Sequence, residues 1–137
     1  MAANSRVAVA AHIVTVLASK PGEFVPSSYI ASSVNTHPTV IRRVLTALTR
    51  ARLVVTEEGK AGGAKLLKRP DQVTLWDLSV ALSEHQLLAV HKNPVNPNCP
   101  ISRQMKGVLA KAFAGAEKAA EAQLQRVSVK DLLLAVG

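Results

Sequence analysis

Aromatic side chains are scarce in this chain, at 3% of its 137 residues. Proteins that bind single-stranded nucleic acids stack bases on aromatic side chains, so this composition argues against that class. The chain also has a single cysteine, Cys99, which excludes a disulfide within the chain and fits a reducing compartment. Hydrophobic residues nevertheless make up 48% of the sequence, enough for one folded domain with a real core.

Long apolar runs are lacking as well. No stretch approaches the roughly 18 apolar residues that a membrane-spanning helix needs. The first residues lack the basic start, apolar run and cleavage site of a secretory signal. We therefore expect a cytoplasmic protein without a membrane partner. We also find no serine nucleophile elbow and no glycine-rich phosphate loop, and we expect no enzymatic activity.

Acidic residues are missing between Glu23 and Glu57, although four arginines fall in that window. These are Arg42, Arg43, Arg50 and Arg52. The net charge is +8, and residues 1–56 hold six basic residues against one acidic residue. Residues 57–102 balance five against five. Residues 103–137 hold six against three, so the positive excess is concentrated in 1–56, as expected of a phosphate-binding face.

The basic segment has the pattern of a helix-turn-helix. Apolar residues recur at helical spacing from Val7 to Ala18, and a short helix follows Pro26. A turn ending at Pro38, which suits the first turn of a helix, leads into a third helix. The buried stripe of that helix is predicted to be Ile41, Val44, Leu45 and Leu48. Thr39, Arg43 and Arg50 then fall on its opposite side, with Arg42 on a flank.

A β-hairpin is predicted directly after the third helix. The β-branched run at 53–56 is predicted to pair with residues 65–67, and the connection between them contains Gly59, Gly62 and Gly63. Glycines permit positive φ at such a tip, so we expect a two-stranded wing. The segment therefore predicts a winged helix-turn-helix, whose second helix enters the DNA major groove.

The rest of the chain is predicted to connect this unit to a dimerisation segment. Thr74 and Asp77 have capping-box spacing, as do Ser128 and Asp131 before a final helix. Residues 84–100 contain three X-Pro bonds and are expected to form an ordered loop. A helix of roughly 25 residues follows, and its continuous apolar stripe needs a partner. We therefore expect a mainly α fold with a small β-wing, divided into a DNA-binding domain (1–83), a connecting loop (84–100) and C-terminal dimerisation helices (101–137).

In their order along the chain, these features resemble the Rrf-two family of bacterial winged-helix transcription regulators. The segments that carry the resemblance are 5–10 with His12, 30–35, 40–45, 53–54, 59–64, 73–75 and 96–100. The resemblance implies a homodimer held by the long helix, a recognition helix in the major groove and a wing tip near the minor groove. It places Thr39, Val40, Arg42 and Arg43 at the groove, with Glu58 and Lys60 at the wing.

We accordingly expect a sequence-specific regulator of double-stranded DNA, acting as a repressor and binding a pseudo-palindromic operator as a homodimer. The candidate DNA contacts are Ser28, Thr39, Val40, Arg42, Arg43, Arg50 and Lys60. For Arg42 and Arg43 the expected contacts are guanine edges or phosphates; the alternative is a solvated helix face. Arg50 and Arg52 could contact phosphates or lie on the surface without a role.

Two departures from the family pattern bear on function. Cluster-binding members carry three cysteines before the long helix, whereas this chain has only Cys99. We therefore expect no iron–sulfur cluster and no other cofactor. Glu57 and Glu58 stand where many relatives have basic or neutral residues, and their charge would repel phosphates near the wing.

Three alternative readings stay open from the sequence. The winged helix could serve as a protein–protein adaptor, although an acid-free arginine helix adds nothing specific to that role. Cys99 could be a redox or nitrosative sensor, or a packing residue. His12, His85, His91 and Cys99 could in principle form a metal site, but their spacing matches no compact ligand motif.

Overall fold

Six α-helices and one two-stranded sheet make up the part of the chain, residues 5–137, that the computed structural model describes. The helices are α1 (Arg6–Ala18), α2 (Ser27–Val34), α3 (Pro38–Arg50), α4 (Leu75–Ala81), α5 (Pro100–Leu124) and α6 (Val129–Val136). The strands are β1 (Val54–Glu57) and β2 (Gly63–Leu66), and a short 3-10 turn spans Pro70–Gln72. The expected fold, mainly helical with a small wing and a long C-terminal helix, is confirmed.

Helices α1, α2 and α3 pack around one apolar core. α2 is followed by Asn35, which adopts a left-handed conformation with φ 60°, and α3 begins three residues after it, at Pro38. The predicted stripe of α3 is confirmed, since Ile41, Val44, Leu45 and Leu48 are all buried. Because this stripe packs against α1 and α2, the opposite face of α3 points to solvent.

The wing is an antiparallel hairpin in which Val54 pairs with Leu66 and Glu57 with Gly63. It is attached to the segment before α2 by two backbone hydrogen bonds. Val25 N–H donates to the Ala64 carbonyl at 2.8 Å, and Ala64 N–H donates to the Val25 carbonyl at 2.9 Å. These bonds hold the wing beside the start of α2, so its tip has a defined position relative to α3.

Gly63 is the residue on which this attachment depends most. Its φ is +147°, and a Cβ added there would lie 2.1 Å from the Val25 carbonyl oxygen. Gly59 also has a positive φ, +102°, but a Cβ there would meet nothing within 4 Å. We expect Gly59→Ala to lower the free energy of unfolding by about 1 kcal/mol through backbone strain alone. Gly63→Ala should lower it by about 3 kcal/mol, because the clash adds to the strain.

Urea unfolding of the two variants at equal protein concentration measures this difference. Because both substitutions add the same methyl group to a glycine of positive φ, Gly59→Ala is the matched control. Equal losses of stability would show that the wing relaxes away from Val25 without cost.

The C-terminal helix α6 returns to the N-terminal unit. Val129 N–H donates to the Val73 carbonyl at 2.8 Å, and Leu75 N–H donates to the Val127 carbonyl at 2.9 Å. Val129 is fully buried in the same core as α1, and α6 packs against α1. The sequence-based division placed this helix with the segment 101–137; the structure packs it into the core of the winged-helix unit. The physical reason is a long-range contact: the hydrogen bonds between residues 127–129 and 73–75 hold the start of α6 against the winged-helix unit.

Helix α5 is different, because none of its 25 residues is buried. The segment between α4 and α5 is a loop that runs along this helix. Glu117 Oε1 accepts hydrogen bonds from the backbone N–H groups of Leu87 and Leu88, at 3.0 and 3.2 Å. Lys106 Nζ donates to the Asn93 carbonyl at 2.6 Å. Over residues 5–137, every helix is either too short or too polar to span a bilayer.

Candidate nucleic-acid interface

A cleft of about 790 Å³ lies between α3 and the wing. It brings together four of the candidate contacts from three parts of the fold: Ser28 from the start of α2, Arg42 and Arg50 from α3, and Lys60 from the wing tip. All four are exposed. Leu45 and the wing glycines Gly59, Gly62 and Gly63 also line the cleft.

The other three candidate contacts lie on α3 outside the cleft. Arg43 is exposed, and Val40 is 36% exposed although it is apolar. Thr39 is half-buried in the first turn. With 100° between successive residues of an α-helix, Thr39, Arg43 and Arg50 share the side that faces away from the buried stripe. The face they form is continuous with the cleft wall that carries Arg42.

The arginines of this face have no carboxylate partner within the described residues. The two ion pairs found over 5–137 are Arg6 with Glu84 and Arg69 with Asp71, both away from α3. Arg42, Arg43 and Arg50 therefore present their full charge to solvent. An arginine without a carboxylate partner can donate two parallel hydrogen bonds to a phosphate or to a guanine edge without first breaking an ion pair.

Hydrogen bonds order the first turns of α3. His37 Nδ1 accepts the Thr39 N–H at 3.1 Å, and Arg42 Nη2 donates to Thr39 Oγ1 at 3.5 Å. Thr46 Oγ1 donates to the Arg42 carbonyl at 2.8 Å. His37 and Thr46 were not among the candidate residues from sequence. Thr46 could have been found from its spacing, one turn after Arg42 and two after Thr39; His37 could have been found as the residue before a proline at the first helical position.

The wing side of the cleft carries charge of the opposite sign. Glu57 and Glu58 line it together with Lys60 and face the wall that holds Arg42 and Arg50. Both carboxylates are exposed. Positive potential is therefore concentrated on α3, and the wing contributes less of it than its lysine alone would suggest.

The histidines and Cys99 do not converge. His12 Nε2 lies 3.0 Å from Ser33 Oγ, and the His85 ring meets Trp76 edge-on with centroids 5.7 Å apart. Cys99 precedes α5 and is half-buried. Within the described part of the chain, no group of three or more His, Cys, Asp or Glu side chains could hold a metal ion. The metal site considered from sequence is therefore not formed by these residues.

Comparison with known proteins agrees with this geometry. The model of the Rrf-two family (Rrf2, described as "Iron-dependent Transcriptional regulator") matches residues 3–135. The chain belongs to this family. It is therefore a DNA-binding transcription regulator and not an enzyme.

Individual relatives extend the Rrf2 assignment. YwnA of Bacillus subtilis (strain 168), named as an HTH-type transcriptional regulator, is 37% identical over 131 residues, which cover 95% of this chain and 96% of YwnA. A crystal structure described as that of a DNA-binding protein has a TM-score of 0.76 at 32% identity, covering 94% of this chain and 99% of its own. CymR of B. subtilis, described as the global cysteine regulator of that organism, has a TM-score of 0.74 at 19% identity and 98% coverage of each chain; it supports the fold alone.

The iron dependence named for the Rrf2 family does not fit the donor atoms of this chain. Iron–sulfur clusters are held mainly by cysteine thiolates, and the sequence contains only Cys99. The described histidines and carboxylates do not supply a substitute set.

We therefore expect the protein, purified anaerobically, to lack the visible absorption of a cluster and to contain no stoichiometric iron. Absorption spectra and metal analysis of the as-isolated protein measure this. Cys99→Ser should give the same spectrum as the wild type. A visible band that is present in the wild type and lost in Cys99→Ser would contradict the expectation.

Proposed function

We propose that this Rrf2 regulator represses transcription by binding a pseudo-palindromic operator as a homodimer. The observation that carries the proposal is the arginine face of α3, which is exposed, has no carboxylate partner among the described residues and lies beside the cleft between α3 and the wing. A positively charged recognition helix with an adjacent wing is the arrangement with which winged helices bind duplex DNA.

The roles of the candidate residues follow from their positions. Arg42 and Arg43 lie near the start of α3, where base edges are read, and are assigned to guanines or adjoining phosphates. Val40, apolar and exposed at the same end, suits a thymine methyl group. The remaining candidates border the cleft or the helix side and are assigned to backbone positioning: Ser28, Thr39, Arg50 and Lys60.

The homodimer is supported by α5. Ile101, Met105 and Val108 are all exposed, Ile101 at 67% and Val108 at 60%, and they recur at helical spacing on one stripe. An exposed apolar stripe on a long helix is covered when it packs against a second copy around a two-fold axis. Two α3 helices related by that axis read two half-sites in opposite orientation, which makes the operator a pseudo-palindrome.

Repression is inferred from how such a dimer occupies DNA. A protein that holds both half-sites covers a stretch of duplex that RNA polymerase cannot occupy at the same time. The effect is measured with a reporter gene whose promoter contains the selected operator. Lower expression when the regulator is produced supports repression; higher expression would make it an activator.

Selection of bound sequences from a random duplex pool, with reduced and with oxidised protein, tests the whole proposal. We expect two inverted half-sites spaced by about one helical turn or a multiple of it. Binding should weaken steeply with salt, because phosphate contacts release counterions. Absence of any enriched sequence, with weak and salt-independent retention of DNA, would favour a protein–protein adaptor instead. An operator bound only by reduced protein would identify Cys99 as a sensor.

A further inference from the structure

The recognition helix is capped by a histidine. His37 is extended, with φ −67° and ψ 138°, and its Nδ1 accepts the Thr39 N–H at 3.1 Å. Its carbonyl accepts the Val40 N–H at 3.0 Å. Histidine is not among the usual residues at this position, which are Ser, Thr, Asp and Asn. The cap therefore depends on one ring nitrogen that must be unprotonated to accept.

The His37 ring is the acceptor that the protein supplies for the first N–H donor of α3. The first N–H groups of a helix have no partner within the helix, and Pro38 has no N–H at all. Thr39 therefore carries the first free donor, and the His37 ring satisfies it. No acidic residue lies in the first turn to help. Loss of the ring would leave the exposed Thr39 N–H bonded to water instead of to the protein.

Thr39, whose backbone is held by His37, in turn contacts Arg42. Its Oγ1 accepts from Arg42 Nη2 at 3.5 Å, so the hydroxyl lies where it can orient the guanidinium that borders the cleft. The ring of His37, the backbone and hydroxyl of Thr39, and the guanidinium of Arg42 form one chain of contacts at the end of α3 where bases are read. A bidentate contact to guanine requires the guanidinium to be aimed within a narrow range of angles.

The charge of the cap matters in the same place. Asp, the strong alternative cap, would place a carboxylate beside the arginines and close to DNA phosphates, where it would repel them. A histidine with Nδ1 as acceptor is neutral and carries its hydrogen on Nε2. The charged groups on its helix are Arg42, Arg43 and, in the last turn, Arg50, and the neighbouring α2 contributes no charged residue over Ser27–Val34. His37 thus caps α3 without reducing its positive charge.

We propose that His37 is a positioning residue for operator recognition: it fixes the first turn of α3 so that Thr39 and Arg42 are aimed at the bases. This inference rests on the proposed function. It assigns His37 an effect on sequence discrimination through Thr39 and Arg42, not a contact of its own with DNA.

Three variants test it, with affinity measured for the selected operator and for a scrambled duplex. His37→Ala removes the cap and should weaken operator binding about fivefold, the equivalent of a typical lost cap. Scrambled DNA should be bound within about twofold of wild type, because arginine and lysine contacts to phosphate are unchanged. His37→Ser restores an acceptor at the same position and should return operator affinity to within about twofold of wild type. His91→Ala, which removes an exposed imidazole from the loop before α5, is the matched control and should behave as wild type.

The salt dependence separates positioning from direct contact. No charge is removed from the interface, so the slope of log affinity against log salt should be the same for wild type, His37→Ala and His37→Ser. A slope reduced by about 0.9 in both variants, without rescue by serine, would make His37 a charged phosphate contact and overturn the inference. Unchanged operator affinity of His37→Ala would also overturn it. If wild type itself selects no operator, the proposed function fails, and the inference with it.

Discussion

Val108→Asp in α5 is expected to convert the protein from dimer to monomer and to weaken operator binding about a hundredfold or more. Val108 is 60% exposed on the apolar stripe of α5. In a homodimer it would be covered by the partner helix, and a carboxylate there would be buried without a counter-charge. A monomer reads one half-site and loses the gain in affinity that comes from binding two linked sites at once.

Sedimentation at micromolar concentration measures the assembly state, and operator affinity is measured on the same samples. Leu134→Asp is the matched control: it also places an acid on an exposed apolar residue, 70% exposed, but on α6 outside the stripe. The control should remain a dimer with unchanged affinity. A dimeric Val108→Asp, or a wild type that sediments as a monomer, would contradict the assignment of α5.

The monomeric variant is expected to keep the fold of the winged-helix unit. Helix α5 contributes no buried residue, and the core of the winged-helix unit is completed by Val129 from α6. The apolar core of this unit therefore does not depend on the exposed face of α5. Circular dichroism of Val108→Asp should therefore match wild type. Unfolding of the variant would mean that the head is stable only in the dimer.

Local patterns in the sequence predicted the elements that depend on local chemistry. The stripe of α3 follows from 3.6-residue spacing, and all four of its members are buried. Both capping boxes are formed, with Thr74 and Asp77 bonded reciprocally and Ser128 and Asp131 likewise. Each of these predictions needs only the order of residues within one turn or one helix.

Features that join distant segments were not predictable in the same way. The docking of α6 depends on hydrogen bonds between 127–129 and 73–75, which no spacing rule connects. Glu57 and Glu58 line the same cleft as Arg42 because backbone hydrogen bonds to Val25 hold the wing beside α2. The sequence did not predict the cap at His37, because histidine is rare at the N-cap position. Pro38 did indicate where the helix begins.

The arginine face of α3 is expected to carry the specificity of the protein. Arg42→Ala or Arg43→Ala should cost about 1–3 kcal/mol of operator affinity for whichever residue donates to a base edge. The loss should be largest for the operator and smaller for scrambled DNA, because a base contact contributes only where the right base is present. Arg42 is the stronger candidate, since it borders the cleft and its Nη2 lies 3.5 Å from Thr39 Oγ1.

Competition binding at several salt concentrations separates the two kinds of contact. A residue that touches only phosphate should weaken all sequences alike and reduce the salt slope by about one. Arg126→Ala is the matched control, because it removes one exposed arginine just beyond α5, away from α3. It should leave discrimination between operator and scrambled DNA unchanged. Full operator affinity in both Arg42→Ala and Arg43→Ala would mean that α3 does not read the DNA, and the recognition surface would have to lie elsewhere on the protein.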